Sequence, residues 1–397
     1  MRKIAATYIF PGNRAPVKNG ILVCDNDGTI IEIIENGGDF HEEAGLEYYS
    51  GALVPGFVNA HCHLELSHLK NQVEEKTGIG GFIGQINKLR NVAEEEMLKA
   101  AQVADKLMWT VGISAVGDIS NTVLSIPVKQ KSSIHYYTFV ETFGFHPSRA
   151  ERAFELATTV KKSLDDSELL ASIVPHSPYS VSEPLFRRIE KEASKSGGIL
   201  SIHNQESKGE TQFYIDGTGP IAEHLQNNLG LDISHWSPPG KSSLESILEY
   251  LPPENLLLLV HNTFTRENDV EALLKKRSSE NTFMVLCPNS NLYIENALPP
   301  IQLFRKKGLN ICLGTDSLAS NHVLSILQEM ITIQQHFTEI TLQELVKWAC
   351  VNGAKALGLD NEIGSFDKGK KPGANLLTGL DLKELKLTEK ARVKRLI

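Results

Sequence analysis

Two histidines at i and i+2 close an apolar run near the start of this chain, in Pro55-Gly56-Phe57-Val58-Asn59-Ala60-His61-Cys62-His63. Alternate side chains of a strand share one face, so His61 and His63 point the same way. Paired imidazoles at a strand end suit a borderline divalent ion such as zinc, which then needs further ligands from elsewhere in the chain. That need constrains the fold, because distant segments must bring their ends to one point. Three later apolar runs end in residues of suitable chemistry, at His203, His261 and Asp316. A lone His-x-His is weak evidence; five polar residues that all close apolar runs are much stronger.

The apolar, β-branched runs are Leu53 to Asn59, Ile113 to Val116, Tyr136 to Val140, Leu169 to Val174, Ile199 to Ile202, Leu256 to Val260, Phe283 to Leu286 and Leu309 to Leu313. Between them lie stretches of helical spacing, such as Ile83 to Met108, Arg149 to Leu164, Glu183 to Ser196 and Asn268 to Arg277. Each is long enough to carry a crossover between parallel strands. Eight strands alternating with helices over about 300 residues are what a (β/α)8 barrel requires. A doubly wound sheet is the runner-up, and the lack of a Gly-x-Gly-x-x-Gly after the first strand counts against it. The expected division is an α/β catalytic barrel over residues 53–357, with residues 1–52 and 358–397 forming a small composite β-sandwich. In the N-terminal part, Asp25-Asn26-Asp27-Gly28 marks a bend between two short apolar runs. Neither end has enough apolar surface for a core of its own, which is why they are expected to pair.

Composition excludes several classes. The 397-residue chain carries a formal net charge of −8, which argues against a phosphate-neutralising nucleic-acid surface. Its five cysteines are widely spaced with no Cys-x-x-Cys pair, the pattern of a reducing compartment. The N-terminal apolar stretch is cut by Pro11-Gly12, and the longest pure apolar run, Leu256 to Val260, cannot span a bilayer. The expectation is a soluble cytoplasmic protein with a small-molecule substrate, no nucleic-acid or membrane partner, and an oligomeric state left open between monomer and homo-oligomer.

The residues that follow the strands are polar: His61 and His63, Asp118, Glu141, His176, His203 with Glu206, His261, Asn289 and Asn291, and Asp316. In a barrel these carboxyl ends form the face that carries the chemistry. Asp118 and Asn291 read equally well as polar residues resuming after a strand. Taken with Pro175-His176-Ser177-Pro178-Tyr179-Ser180, His261-Asn262-Thr263, Cys287-Pro288-Asn289-Ser290-Asn291 and Gly314-Thr315-Asp316-Ser317, the set resembles the amidohydrolase superfamily. Within it the pattern is similar to the deaminase and chlorohydrolase branch, and the short strings His63-Leu64-Glu65-Leu66-Ser67 and Lys241-Ser242-Ser243-Leu244 resemble aminodeoxyfutalosine deaminases.

The resemblance implies that His61, His63, His203 and Asp316 are metal ligands. Binuclear members carry a carboxylated lysine after the fourth strand; here His176 stands there, so one divalent ion is expected, zinc or alternatively iron(II). Glu206 and His261 match the proton-handling pair, with His261 either orienting the attacking water, ligating the metal or serving as a structural hydrogen-bonder. The implied reaction is hydrolytic deamination of an aminated heteroaromatic ring, a 6-aminopurine nucleoside first of all. Activated water adds at the amine-bearing carbon, Glu206 protonates a ring nitrogen, and Asp316 or His261 manages the remaining proton as ammonia leaves. His176 matches a substrate-contacting histidine. Glu65 faces the pocket or caps the helix after it. The long segment Phe213 to Pro239 is expected to be a lid or pocket wall, with Trp236 as a packing anchor. Alternatives are a metal-dependent hydrolase of an amide, cyclic amide or halogenated heterocycle, and a non-catalytic scaffold on the same fold.

Overall fold

The computed structural model describes residues 1–39 and 45–397. Eight parallel strands form two four-stranded sheets, each in sequential order. The first holds Phe57–Cys62, Ile113–Ser120, His135–Thr142 and Leu170–Pro175; the second holds Leu200–Asn204, Leu257–His261, Thr282–Leu286 and Asn310–Leu313. All eight runs read from the sequence are strands, and their apolar continuity follows from burial on both faces, which parallel sheets with helical crossovers impose. The two sheets adjoin at both edges. At one, the His203 amide donates to the His176 carbonyl at 2.9 Å; at the other, the Thr315 amide donates to the His61 carbonyl at 3.0 Å, and Cys62 bridges Asp316 in parallel. The fold is therefore α/β with parallel sheets, in an arrangement consistent with a TIM-type barrel, and one large apolar cluster packs strands against helices.

Boundaries differ from the sequence reading in two places with physical causes. The run starting at Leu53 is two strands, Leu46–Pro55 and Phe57–Cys62, parted at Gly56. A Cβ at Gly56 would lie 1.9 Å from Ser114 Oγ and 2.3 Å from the Pro372 carbonyl, so only glycine lets the chain pass from one sheet to the other there. The stretch Ile83 to Met108 is likewise two helices, Gly78–Leu89 and Glu94–Thr110. The break at residues 91–93 carries no Gly or Pro to announce it.

Both chain ends do meet in one sheet. Its order is Arg392–Arg395, Ala374–Thr378, Leu46–Pro55, Arg2–Ile9, Ile21–Cys24, Ile30–Ile34, with Val17–Lys18 paired to Arg2–Ile9. Seven strands from the two ends thus form one hydrogen-bonded sheet. The reason lies in Leu46–Pro55, which pairs parallel to Arg2–Ile9 on one side and antiparallel to Ala374–Thr378 on the other, joining the two ends into one ladder.

Candidate active site at the strand ends

The first strand delivers His61 and His63 on one face, and the ring nitrogens Nε2 of the two lie 3.1 Å apart. Across the sheets, His203 Nε2 lies 3.2 Å from His63 Nε2. Asp316 Oδ1 completes the group at 3.4 Å from His63 Nε2 and 3.7 Å from His61 Nε2. Donors about 2.0–2.1 Å from a tetrahedral zinc lie roughly 3.3–3.4 Å from one another. The three imidazole nitrogens thus lie at a spacing that suits one divalent ion, with Asp316 Oδ1 beside two of them; Asp316 also groups with His61 and His261. The three nitrogens make poor hydrogen-bond partners for one another, since neutral imidazoles whose lone pairs converge repel.

The chemistry around His203 and Asp316 fits that role, whereas the buried His61 Nδ1 has no hydrogen-bond partner among the described residues. His203 donates Nδ1–H to the His176 carbonyl at 2.9 Å, which leaves the Nε2 lone pair facing the cluster. Asp316 Oδ2 accepts from Ser290 Oγ and Ser320 Oγ, both at 2.6 Å, so that Oδ1 is the oxygen left toward the imidazoles. Burial pushes His61 down to about 4, and burial with the neighbouring imidazoles holds His203 well below the usual histidine value. Neutral imidazoles are the form a metal takes. Burial alone would raise the Asp316 carboxyl, but the His61, His63 and His261 rings overturn that and hold it well below the ordinary carboxylate range.

Beside this cluster stand Glu206 and His261, with Oε1 and Nε2 3.6 Å apart. His261 Nδ1 lies 3.3 Å from Asn291 Oδ1, and the Asn291 amide in turn donates to Thr263 Oγ1. Burial, with the Asp316 charge adding, pushes the Glu206 carboxyl up to about 8. Backbone strain gathers at the same strand ends: Gln205, His261, Asn262 and Asp316 all have positive φ, at 46°, 71°, 55° and 57°. Such conformations cost free energy for non-glycine residues and tend to collect at functional sites.

Every expected site residue except Glu65 lies within this group or touches it. His176 Nδ1 is 2.6 Å from Glu141 Oε1, and its ring lies 4.6 Å from that of His203. Glu65 sits in the first turn of the short 3-10 helix Leu64–Leu69. It caps no helix there. Its carboxylate accepts from the Asn121 amide at 3.1 Å and from Thr122 Oγ1 at 2.7 Å, tying the first strand end to the second. The segment 213–239 packs an apolar cluster above the strand ends with Ile79, Phe145 and Tyr179, and Trp236 stacks on Phe213 at 4.0 Å, an anchor as expected. Sequence reasoning missed Ser290 and Ser320 as the hydroxyls that orient Asp316. Ser290 lies inside the singled-out Cys287-Pro288-Asn289-Ser290-Asn291 string, which was the available signal; nothing marked Ser320.

A family model described as the amidohydrolase family matches residues 52–395. The chain belongs to the amidohydrolase family, hydrolases that act on carbon–nitrogen bonds. It is 29% identical over 333 residues to an adenosine deaminase of Helicobacter pylori, covering 82% of this chain and 78% of that one. It is 26% identical to an aminodeoxyfutalosine deaminase of a Nitratiruptor species, covering 91% of this chain and 87% of the relative. A crystal structure of Helicobacter pylori aminofutalosine deaminase in complex with methylthio-coformycin superposes with a TM-score of 0.81 at 25% identity, over 98% of this chain and 94% of that one.

Proposed function

We propose that this amidohydrolase is a metal-dependent hydrolytic deaminase that removes the exocyclic amine of a 6-aminopurine nucleoside as ammonia. The observation that carries this reading is the pairing of a metal-fitting donor set with a buried acid. Three imidazole nitrogens and Asp316 Oδ1 converge, and Glu206 beside them holds its proton near neutral pH. The relatives' activities, adenosine and aminodeoxyfutalosine deamination, support the substrate class.

The donor set supports one zinc ion held by His61, His63, His203 and Asp316, with iron(II) as the alternative. Bound there, such an ion supplies Lewis-acid activation of water near neutral pH. The chain's own groups account for the proton traffic. Glu206, protonated at neutral pH, gives a proton to a ring nitrogen of the purine. His261 donates Nδ1–H to Asn291, so its Nε2 accepts a hydrogen bond from the attacking water and orients it. Asp316, its Oδ2 occupied by two hydroxyls, takes up the remaining proton through Oδ1 and returns it to the amine. One water is consumed, the carbon–nitrogen bond breaks, a carbonyl forms and ammonia leaves. His176 and Glu65 are assigned to the substrate; among the described residues Glu65 Oε2 accepts one hydrogen bond and keeps a lone pair for a hydroxyl.

The same reading includes a closed (β/α)8 barrel over 53–357 and a companion domain from 1–52 and 358–397. All five cysteines are free and buried, which supports a cytoplasmic location. The test is ammonia release by the zinc-loaded protein on 6-aminopurine nucleosides, guanine, cytosine and an aminotriazine. Turnover of one purine nucleoside at about 10⁴ M⁻¹s⁻¹ or more is expected. Metal-loaded protein silent on every amine but active on an amide or halide would overturn the assignment.

A further inference from the structure

The acid at the end of the third strand has no part in the proton traffic described above, yet it is among the most deeply enclosed charges at the strand ends. Glu141 is the penultimate residue of His135–Thr142, and its side chain is 2% exposed. Enclosing a carboxylate this completely is costly unless specific donors meet it. Two imidazoles and an amide do. Oε1 lies 2.6 Å from His176 Nδ1 and 3.3 Å from His203 Nδ1, and Oε2 accepts from Asn121 Nδ2 at 3.4 Å.

The two imidazoles do not depend on Glu141 equally. His203 already donates Nδ1–H to the His176 carbonyl at 2.9 Å, a shorter contact than the one to Glu141. Among the described residues His176 Nδ1 has Glu141 alone, at a distance typical of a charge-assisted bond. The rest of the ring is held by packing, with Phe143 at 4.4 Å and His203 at 4.6 Å between ring centroids. The His176 side chain is 22% exposed, far more open than its partner. Once Nδ1 is committed to Glu141, Nε2 is the nitrogen left for a ligand.

We propose that Glu141 is a positioning residue: by accepting the Nδ1–H of His176 it fixes that ring's tautomer and rotation, so that Nε2 is presented to the nucleoside. The inference rests on the deaminase reading for its kinetic consequence and on geometry alone for the tautomer. Losing a charge-assisted hydrogen bond of this kind costs about a ten- to hundredfold change. Glu141→Leu should therefore raise KM about tenfold or more with a smaller change in kcat. Glu141→Gln, whose amide oxygen can still accept Nδ1–H, should recover most of the loss.

The experiment is a double-mutant cycle of Glu141→Leu and Glu141→Gln with His176→Phe, read by steady-state kinetics and metal content. It is accompanied by long-range ¹H–¹⁵N spectra of ¹⁵N-histidine-labelled protein. The expected result is full metal content throughout, an Nδ1–H tautomer for His176 in the wild type and Glu141→Gln that is lost in Glu141→Leu, and no further kinetic cost of Glu141→Leu once His176 is phenylalanine. Three results would overturn the proposal: additive costs, metal loss in Glu141→Leu, or an unchanged tautomer. The spectra need no substrate, so a wild type that fails to deaminate any nucleoside defeats the functional reading without deciding this one.

Discussion

Two buried polar clusters lie at the same ends of the parallel strands, and they are built on opposite principles. In the first, Lys129 Nζ meets Asp118 Oδ2 at 2.7 Å with both side chains fully enclosed. Its other two donors reach Ser120 Oγ at 2.9 Å and Thr138 Oγ1 at 3.0 Å, and Asp118 Oδ1 accepts from the Leu64 amide at 2.8 Å. Every donor has an acceptor. In the second, the Nε2 atoms of His61, His63 and His203 converge with no donor between them, and Asp316 Oδ1 lies 3.7 and 3.4 Å from the first two. A satisfied network holds the chain in place, here by fixing the backbone one residue past His63; an unsatisfied, converging one is completed by a ligand. The difference is more informative than burial or charge, which the two clusters share.

Removing one member of each cluster should therefore have opposite signatures. Asp316→Ala is expected to have the largest effect on activity, losing both metal and turnover while the fold persists; a fully metallated, active variant by elemental analysis and ammonia assay would erase the contrast. Glu206→Gln should keep its metal and lose about 10²- to 10⁴-fold in kcat, the range for a positioned general acid. Retained turnover would remove Glu206 from its role.

Lys129→Met should act on stability instead. It strands the Asp118 charge in a closed site, at a cost of about 3–5 kcal/mol by denaturant unfolding, while folded protein still binds one metal. A neutral effect on stability would mean that the first cluster is not closed as described. The smallest expected effect concerns Glu329, which accepts from the Asn289 amide and from Asn321 Nδ2 at 2.9 and 2.8 Å. Burial outweighs those donors and pushes its carboxyl up to about 8 from an unfolded value of 4.5. A raised folded value means that its contribution is fully present below about pH 4.5 and fades as pH rises through about 8. Thermal scans should show wild-type stability falling across that window and Glu329→Gln falling less; parallel curves would contradict the shift.

The metal-fitting set was legible because its members sit where doubly buried strands stop. Continuous apolar runs identify such strands, and His203, His261 and Asp316 each end one. The supporting network was not legible, since its residues look ordinary in sequence. Lys129 lies on the short helix Ile126–Lys129 and reads as a surface lysine, and Ser320 reads as a loop serine; only three-dimensional closure gives them partners. Glu65 shows the same limit, because its donors come from 56 and 57 residues away. The single sheet from both ends was foreseen as a pairing but not as one ladder, because the parallel register of Leu46–Pro55 on Arg2–Ile9 leaves no local signature.

The most direct test of the account is a titration of zinc into chelator-stripped protein, following ammonia release from a 6-aminopurine nucleoside against metal bound per chain. The account predicts no turnover without metal, a linear rise, and a plateau at one equivalent. Turnover in the stripped protein, or a plateau only at two equivalents, would contradict a single centre built from His61, His63, His203 and Asp316.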